Sequence, residues 1–392
     1  MPDPFKACVL QIVPELDTGG VEQTTLDVAK AVIKAGGRSI VVSKGGRLEE
    51  RLKKAGATVV HMPVHSKNPF VQWQNFNALK GLIRAEKVDI VHVRSRAPAM
   101  AGFGAAKACG ARSVGTYAGI YNAKSGLKRW YNSQMTRGDL TIANSEFTRA
   151  HILNIYDVPP ERVIAIPRGI DLKRFDPEAF DVRRVMDLEE KWGIAAEDTR
   201  VRFLLAARLT KWKGQALVIE AAAKLKAQGT DNFLILMAGD DQGRRDYTET
   251  LLRQIDSHGL AEHIKLVGHC SDMPSAYAMC QYALAPSIEP EAFGRTAVEP
   301  QAMHRPPLAS AHGATVETVL PGETGWLVTP GDADAWAAAM KTAIELPEPD
   351  RFRMGVKGRA HVRDLFSLDV MCDRTLDVYR ALLILASGKY HP

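Results

Sequence analysis

The chain has 392 residues, 46% of them hydrophobic and 24% charged, with 51 Lys and Arg against 45 Asp and Glu for a net charge of +6. That length exceeds one ordinary core and fits two domains, and no apolar run approaches the roughly 20 residues of a membrane span. Five scattered cysteines (Cys8, Cys109, Cys270, Cys280, Cys372) without CxxC spacing argue against a disulfide framework or a zinc site and for a reducing compartment.

The first residues lack the charged-then-apolar layout of a signal peptide, so a cytoplasmic location is the expectation. Charge is uneven: residues 1–180 hold 26 Lys and Arg against 16 Asp and Glu, net +10, and the remainder, with 25 against 29, nets −4. A basic first half suggests an anionic surface or substrate. No recognisable nucleic-acid module is present, so nucleic acid is not an expected partner.

The first predicted element is a strand from Ala7 to Val13, apolar on both faces. The pair Gly19 and Gly20 follows, then a helix from about Gln23 to Ala35, the opening of an α/β sheet. Paired glycines either let backbone approach a ligand closely or make a plain tight turn. The loop lacks both GxGxxG spacing and the P-loop lysine, so neither a dinucleotide nor an ATP site is implied. Strands over 39–43, 58–62 and 89–93 alternate with helices over 48–55 and near 76–85. Arg94 and Arg96 stand at the carboxyl end of the fourth strand, where open α/β sheets bind ligands. A guanidinium there suits phosphate or carboxylate, and a surface salt bridge is the equal alternative.

A strand over 113–116 runs into Tyr117, Ala118, Gly119 and Tyr121. Between Tyr121 and Arg137, Leu127, Trp130, Tyr131 and Met135 fall at helical spacing beside Lys124, Lys128, Arg129 and Arg137. That pattern fits a helix on an anionic membrane surface or an ordinary core-facing amphipathic helix. A strand over 140–144, a helix capped by Ser145 and a strand over 163–166 close the first half.

A second α/β unit opens with a strand over 201–206, then Ala207, Arg208, Lys213 and Gly214, then a helix over 215–228. Two cations after a strand end suit an anionic ligand, although alone they are as readily surface cations. Strands over 233–238 and 263–268 precede Gly239 and His269. A short buried strand over 282–285 stops at Pro286, and a helix from Arg295 to Met303 opens with Gly294 at its mouth. Such a helix start seats phosphate on its free N–H groups. Glu291 and Glu299 flank it with seven residues between them. One acid would accept from sugar hydroxyls and the other from a ribose diol; the bland alternative is a turn cap and a solvated helix residue. A final helix spans 366–385 with Tyr379 and Leu382. No Asp-x-Asp metal motif sits at a strand end.

Glu291-x7-Glu299, with Phe293 and Gly294 between, resembles the signature of the retaining GT-B glycosyltransferases of the "family four" group. The likeness extends over Pro167-to-Asp171, the Arg208-to-Gly214 segment and the turn at Gly239. It implies an α/β GT-B fold: two Rossmann-like doubly wound domains facing across a cleft, with a C-terminal helix crossing back. Residues 1–172, with 366–392 packed on them, would bind the acceptor, and 173–365 the nucleotide-sugar donor. Arg208, Lys213 and Glu291 would act on the leaving diphosphate and the sugar. Gly19, Gly20, Gly239, the strand-turn at His269, and Phe293, Gly294, Arg295, Thr296 and Glu299 would hold the donor. Arg94, Arg96, Tyr117 and Tyr121 would face the acceptor. Neither a metal nor another cofactor is required in such enzymes.

The main departure is Ala118, which stands where relatives carry His beside the donor sugar. It reads as a natural variant or an engineered inactivation, since alanine can neither hydrogen-bond a sugar nor shuttle a proton. Arg168 also replaces a common Asn.

The expectation is a cytoplasmic retaining glycosyltransferase of cell-surface polysaccharide or lipopolysaccharide synthesis, with peripheral contact on the inner face of an anionic membrane. Its partners would be a nucleotide-diphosphate sugar and a glycan or glycolipid acceptor. The alternatives are a catalytically silent nucleotide-sugar-binding protein and a nucleotide-sugar 2-epimerase.

Overall fold

Strands that are apolar on both faces must lie inside a parallel sheet covered by helices. The computed structural model, which describes residues 5–17, 19–179 and 181–386, has two such sheets. Each belongs to its own compact unit, the first made of residues 1–169 and 368–392 and the second of 170–367. Residues 387–392 of the expected C-terminal packing lie outside the described residues.

In the first unit the chain runs β1 (Cys8–Ile12), α1 (Gly20–Lys34), β2 (Arg38–Ser43), α2 (Glu49–Lys54), β3 (Thr58–His61), α3 (Pro69–Glu86) and β4 (Ile90–Val93). It continues through α4 (Ala99–Cys109), β5 (Arg112–Tyr117), α5 (Gly126–Ser133), β6 (Leu140–Ala143), α6 (Glu146–Ile155) and β7 (Val163–Ala165). The seven strands pair in the order β3-β2-β1-β4-β5-β6-β7, all parallel. The order reverses between β1 and β4, so a crevice opens where the loops after these two strands part. The last helix, Leu368–Ala386, packs Met371, Cys372, Leu376, Tyr379 and Leu382 against Val9, Val28, Ile90 and Val114.

In the second unit α7 (Val182–Lys191) precedes β8 (Val201–Ala206), α8 (Gln215–Ala227), β9 (Phe233–Ala238), α9 (Arg245–Ser257), β10 (Ile264–Gly268) and α10 (Met273–Ala278). Then come β11 (Tyr282–Ala285), α11 (Arg295–Ala302), β12 (Pro307–Ser310), α12 (Thr315–Thr318), β13 (Trp326–Val328), α13 (Ala333–Glu345) and α14 (Glu348–Leu365). The order β10-β9-β8-β11-β12-β13, again parallel, reverses between β8 and β11.

The strands follow the sequence expectation closely, and the helices less so. α3 starts at Pro69, well before the expected Phe76, because Asn68 caps it by accepting from the amides of Phe70 and Val71 with proline at the first helical position. α4 was not expected: its Ala- and Gly-rich run is buried around most of its circumference, so no amphipathic period marks it. α1 begins at Gly20 itself, and neither Gly19 nor Gly20 adopts a positive φ. α7 and α9, dense in charge, were also not expected.

Candidate active site

The second unit builds its site at the point where its strand order reverses. β8 ends in the loop carrying Arg208 and Lys213, and its neighbour β11 ends in the loop carrying Glu291. Gly214 holds the two together: its φ is +79°, and a Cβ there would lie 2.0 Å from the carbonyl oxygen of Pro286. With glycine in place, Lys213 Nζ reaches Glu291 Oε1 at 2.7 Å, both side chains nearly buried at 11% and 13% exposure. Lys213 also lies 4.2 Å from the centroid of Trp212, and Ser287 Oγ donates to the same Glu291 oxygen. Ser287 in turn accepts at its carbonyl from the His312 ring, 2.8 Å away. The carboxylate is therefore oriented from two sides.

Gly294, with φ +77°, caps α11 in the left-handed region and leaves the first amides of the helix, at Arg295 and Thr296, without intrahelical acceptors. Glu299 is buried, not solvated. It pairs with Arg295 one turn earlier, and the Tyr277 hydroxyl lies 3.5 Å from its Oε2. Burial, and then the neighbouring carboxylate, hold the Tyr277 phenol well above its ordinary pKa, so it remains a donor. Arg208 is exposed and makes no side-chain hydrogen bond or ion pair among the described residues. It is thus available to an anion. Among the described residues no group of three or more His, Cys, Asp or Glu is arranged to hold a metal ion.

Other expected donor contacts are placed differently. Phe293 turns its ring into the core against Phe366, so its side chain is closed to a ligand. Gly239 receives the loop after β8, since a Cβ on it would lie 1.9 Å from the carbonyl oxygen of Ala207. His269 is exposed after β10, the edge strand, with β9 between it and β8.

In the first unit Ala118 is half-buried just beyond β5 and lines a small cavity of about 30 Å³ with Thr24, Arg94, Asn144, Arg168 and Thr375. Asn144 Nδ2 and Arg168 Nη2 donate to the carbonyl of Ala118 at 3.3 and 3.4 Å. A Cβ on Gly20 would lie 2.3 Å from Arg168 Nη1, so the missing side chain makes room for that guanidinium. At Gly19 a Cβ would meet the Glu22 carboxylate at 2.0 Å.

Arg94 is buried, its Nε and Nη2 donating to Gln11 Oε1 at 2.9 and 2.5 Å and its Nη1 to Thr116 at 3.4 Å. The surface salt-bridge alternative fails for it. Arg96 stacks over Tyr121, 3.9 Å from Cζ to ring centroid, and donates to Asn132 Oδ1 at 2.9 Å. Tyr117 corrects the expectation: its ring is wholly buried, its hydroxyl 2.9 Å from that of Tyr156, so its side chain cannot meet an acceptor.

Sequence reasoning missed His92. It lies fully buried on β4 with Nδ1 2.5 Å from the Tyr379 hydroxyl and Nε2 2.6 Å from Thr116 Oγ1. Burial, and then the charge of Arg94, push its pKa well below the ordinary value, so the imidazole is neutral. A polar residue inside an otherwise apolar strand was the available signal.

Comparison with known proteins agrees with this geometry. The family described as Glycosyltransferase Family 4 matches residues 18–174, and that described as Glycosyl transferases group 1 matches 187–361. A solved glycosyltransferase from Rickettsia africae ESF-5 is 34% identical with a TM-score of 0.88, over 96% of this chain and 99% of that one. The D-inositol 3-phosphate glycosyltransferase of Corynebacterium glutamicum (strain R) is 27% identical over 228 residues, 57% of this chain. The match spans about half, 53%, of that curated relative. Anabaena HepE, solved with UDP and glucose, is 21% identical with a TM-score of 0.79 over 96% of this chain and 100% of its own, a likeness of fold. The chain belongs to the glycosyltransferases, a Glycosyltransferase Family 4 domain followed by a Glycosyl transferases group 1 domain on the GT-B fold.

Proposed function

We propose that the second unit binds a nucleotide-diphosphate sugar and that the first binds a glycan or glycolipid acceptor, the sugar passing between them with retention at the anomeric carbon. The observation that carries the reading is the grouping of Lys213, Glu291 and the mouth of α11 where the strand order of the second sheet reverses. Departure of the nucleotide puts negative charge on the diphosphate and oxocarbenium character on the sugar. Lys213, Arg208 and the amides of Arg295 and Thr296 would meet the first. Charges and dipoles already in place need no reorganisation as the bond breaks, which is the role a metal ion would otherwise fill. Glu291, oriented by Lys213 and Ser287, would accept from a sugar hydroxyl, and Glu299 from the ribose. Same-face attack, the retaining course, rests on the family resemblance, as does a role in cell-surface polysaccharide or lipopolysaccharide synthesis.

A cytoplasmic setting is supported by the five free thiols. No helix among the described residues is long and apolar enough to cross a membrane. Peripheral contact with an anionic membrane is supported by α5, which leaves Leu127 at 75% exposure and Trp130 at 46% beside Lys124, Lys128 and Arg129. Met135, by contrast, belongs to the core.

Ala118 favours a second reading, a protein that binds the donor and does not transfer it. A thermal-shift panel of nucleoside diphosphates and their sugars tests the donor site, because a ligand that binds the native state raises Tm by mass action. No shift with any of them overturns the donor reading. Slow single-turnover sugar release supports the transferase; binding without turnover supports the silent module.

A further inference from the structure

Helices α3, α4 and α5 follow the carboxyl ends of β3, β4 and β5, the edge of the first sheet on which Ala118 also lies. Between them lies a groove of about 540 Å³, lined by Trp73, Phe76, Met100, Ala101, Trp130 and Tyr131 among others. That volume falls within the roughly 300–1,000 Å³ of small-molecule sites. Its wall is apolar yet open to solvent: Trp73 is 62% exposed, Met100 48% and Trp130 46%, and Phe70 stacks beside Trp73 at 63% exposure. Large aromatic side chains gathered in the open mark a binding surface, because keeping a contiguous apolar patch in water is unfavourable and covering it with a ligand releases that water.

The charge around the groove has one sign. Lys67 and Arg96 line it, and among the described residues no acidic one does. Both cations converge on one ring, Lys67 Nζ 5.9 Å and Arg96 Cζ 5.8 Å from the centroid of Tyr131. An apolar trough ending in two cations matches a ligand with a hydrocarbon chain and an anionic head. Arg96 suits a phosphate through its planar fork.

We propose that this groove seats the hydrocarbon chain of an individual anionic amphiphile, its phosphate at Arg96 and Lys67, and that such a lipid-linked molecule is the acceptor. The assignment rests on the reading of the first unit as acceptor-binding. It commits to one chain in the groove rather than to the helices lying on a bilayer.

The experiment is calorimetry on the full chain with dodecyl phosphate below its micellar concentration. Inorganic phosphate and dodecyl maltoside serve as head-only and chain-only probes. Dodecyl phosphate is expected to bind at least tenfold more tightly than either. Trp73→Glu and Met100→Glu, both at exposed positions, should each weaken it at least tenfold with unchanged Tm, and Arg96→Gln should weaken it while leaving dodecyl maltoside unaffected. Equal binding of all three probes, or indifference to these substitutions, overturns the proposal. Binding to anionic vesicles without binding to the monomer also overturns it, in favour of a bilayer-lying face. A thermal-shift response to nucleoside diphosphates is measured on the same protein. Failure of the groove with that response intact leaves the donor reading standing, whereas loss of both removes the glycosyl-transfer reading.

Discussion

Lys213 and Glu291, 78 residues apart, meet at 2.7 Å where two neighbouring strands of the second sheet end. Both side chains are nearly buried, so removing one partner leaves the other charged and poorly hydrated. Lys213→Met or Glu291→Gln alone should cost about 3–5 kcal/mol, and the double substitution should recover much of it. Urea unfolding of the four proteins measures this coupling. Additive losses would mean that the two groups do not support each other.

Arg208 supplies the contrasting case, an exposed cation with no partner among the described residues. Arg208→Ala should leave stability within about 0.5 kcal/mol. It should weaken a nucleoside diphosphate by about 1.5–3 kcal/mol, the range of hydrogen bonds to charged groups, and barely affect the nucleoside. Calorimetry with the two ligands decides the matter, and equal losses would remove the diphosphate role.

Ala118 is half-buried just beyond the carboxyl end of β5 and lines a small cavity, so a larger side chain there need not reach into the core. Ala118→His should fold and raise single-turnover transfer by about tenfold to a thousandfold, the effect of one transition-state contact of about 1.4–4 kcal/mol. The comparison is made at equal donor saturation. A histidine version that is no faster would make Ala118 a natural feature of this chain and remove the reading of it as a lost transition-state contact.

His92 gives a pH prediction. Its folded pKa is depressed, while in the unfolded chain it titrates near about 6.5. Below that pH the unfolded chain takes up a proton that the folded one refuses, so the stability present above it is lost as pH falls. His151, His304 and His361 are shifted down by burial as well and act in the same direction. His92→Gln should therefore make the fall in Tm between pH 7.5 and 5.5 shallower without abolishing it. An unchanged slope would mean that His92 takes up its proton as readily in the native state as in the unfolded chain.

Much of this was legible in the sequence because its signals are local. Runs such as Phe233–Ala238 and Tyr282–Ala285 are apolar at every position and too short for a buried helix, which fits a strand buried on both faces, and they are strands. The helix after Gly294 and the Glu291–Glu299 spacing were equally readable, since a helix start and a turn of helix are set by neighbours in the chain. α4 was not readable, because small apolar residues on all sides erase the period that announces a surface helix. Partnerships across the chain were not readable either. That Glu299 is buried, that Tyr117 turns inward to Tyr156, and that His92 meets Tyr379 from 287 residues away depend on which strands become neighbours and which helix covers them. Residue type and spacing thus determined the elements and the chemistry they could carry. Strand order and packing decided which side chains were withdrawn from water to hold one another and which, like Arg208, were left facing it.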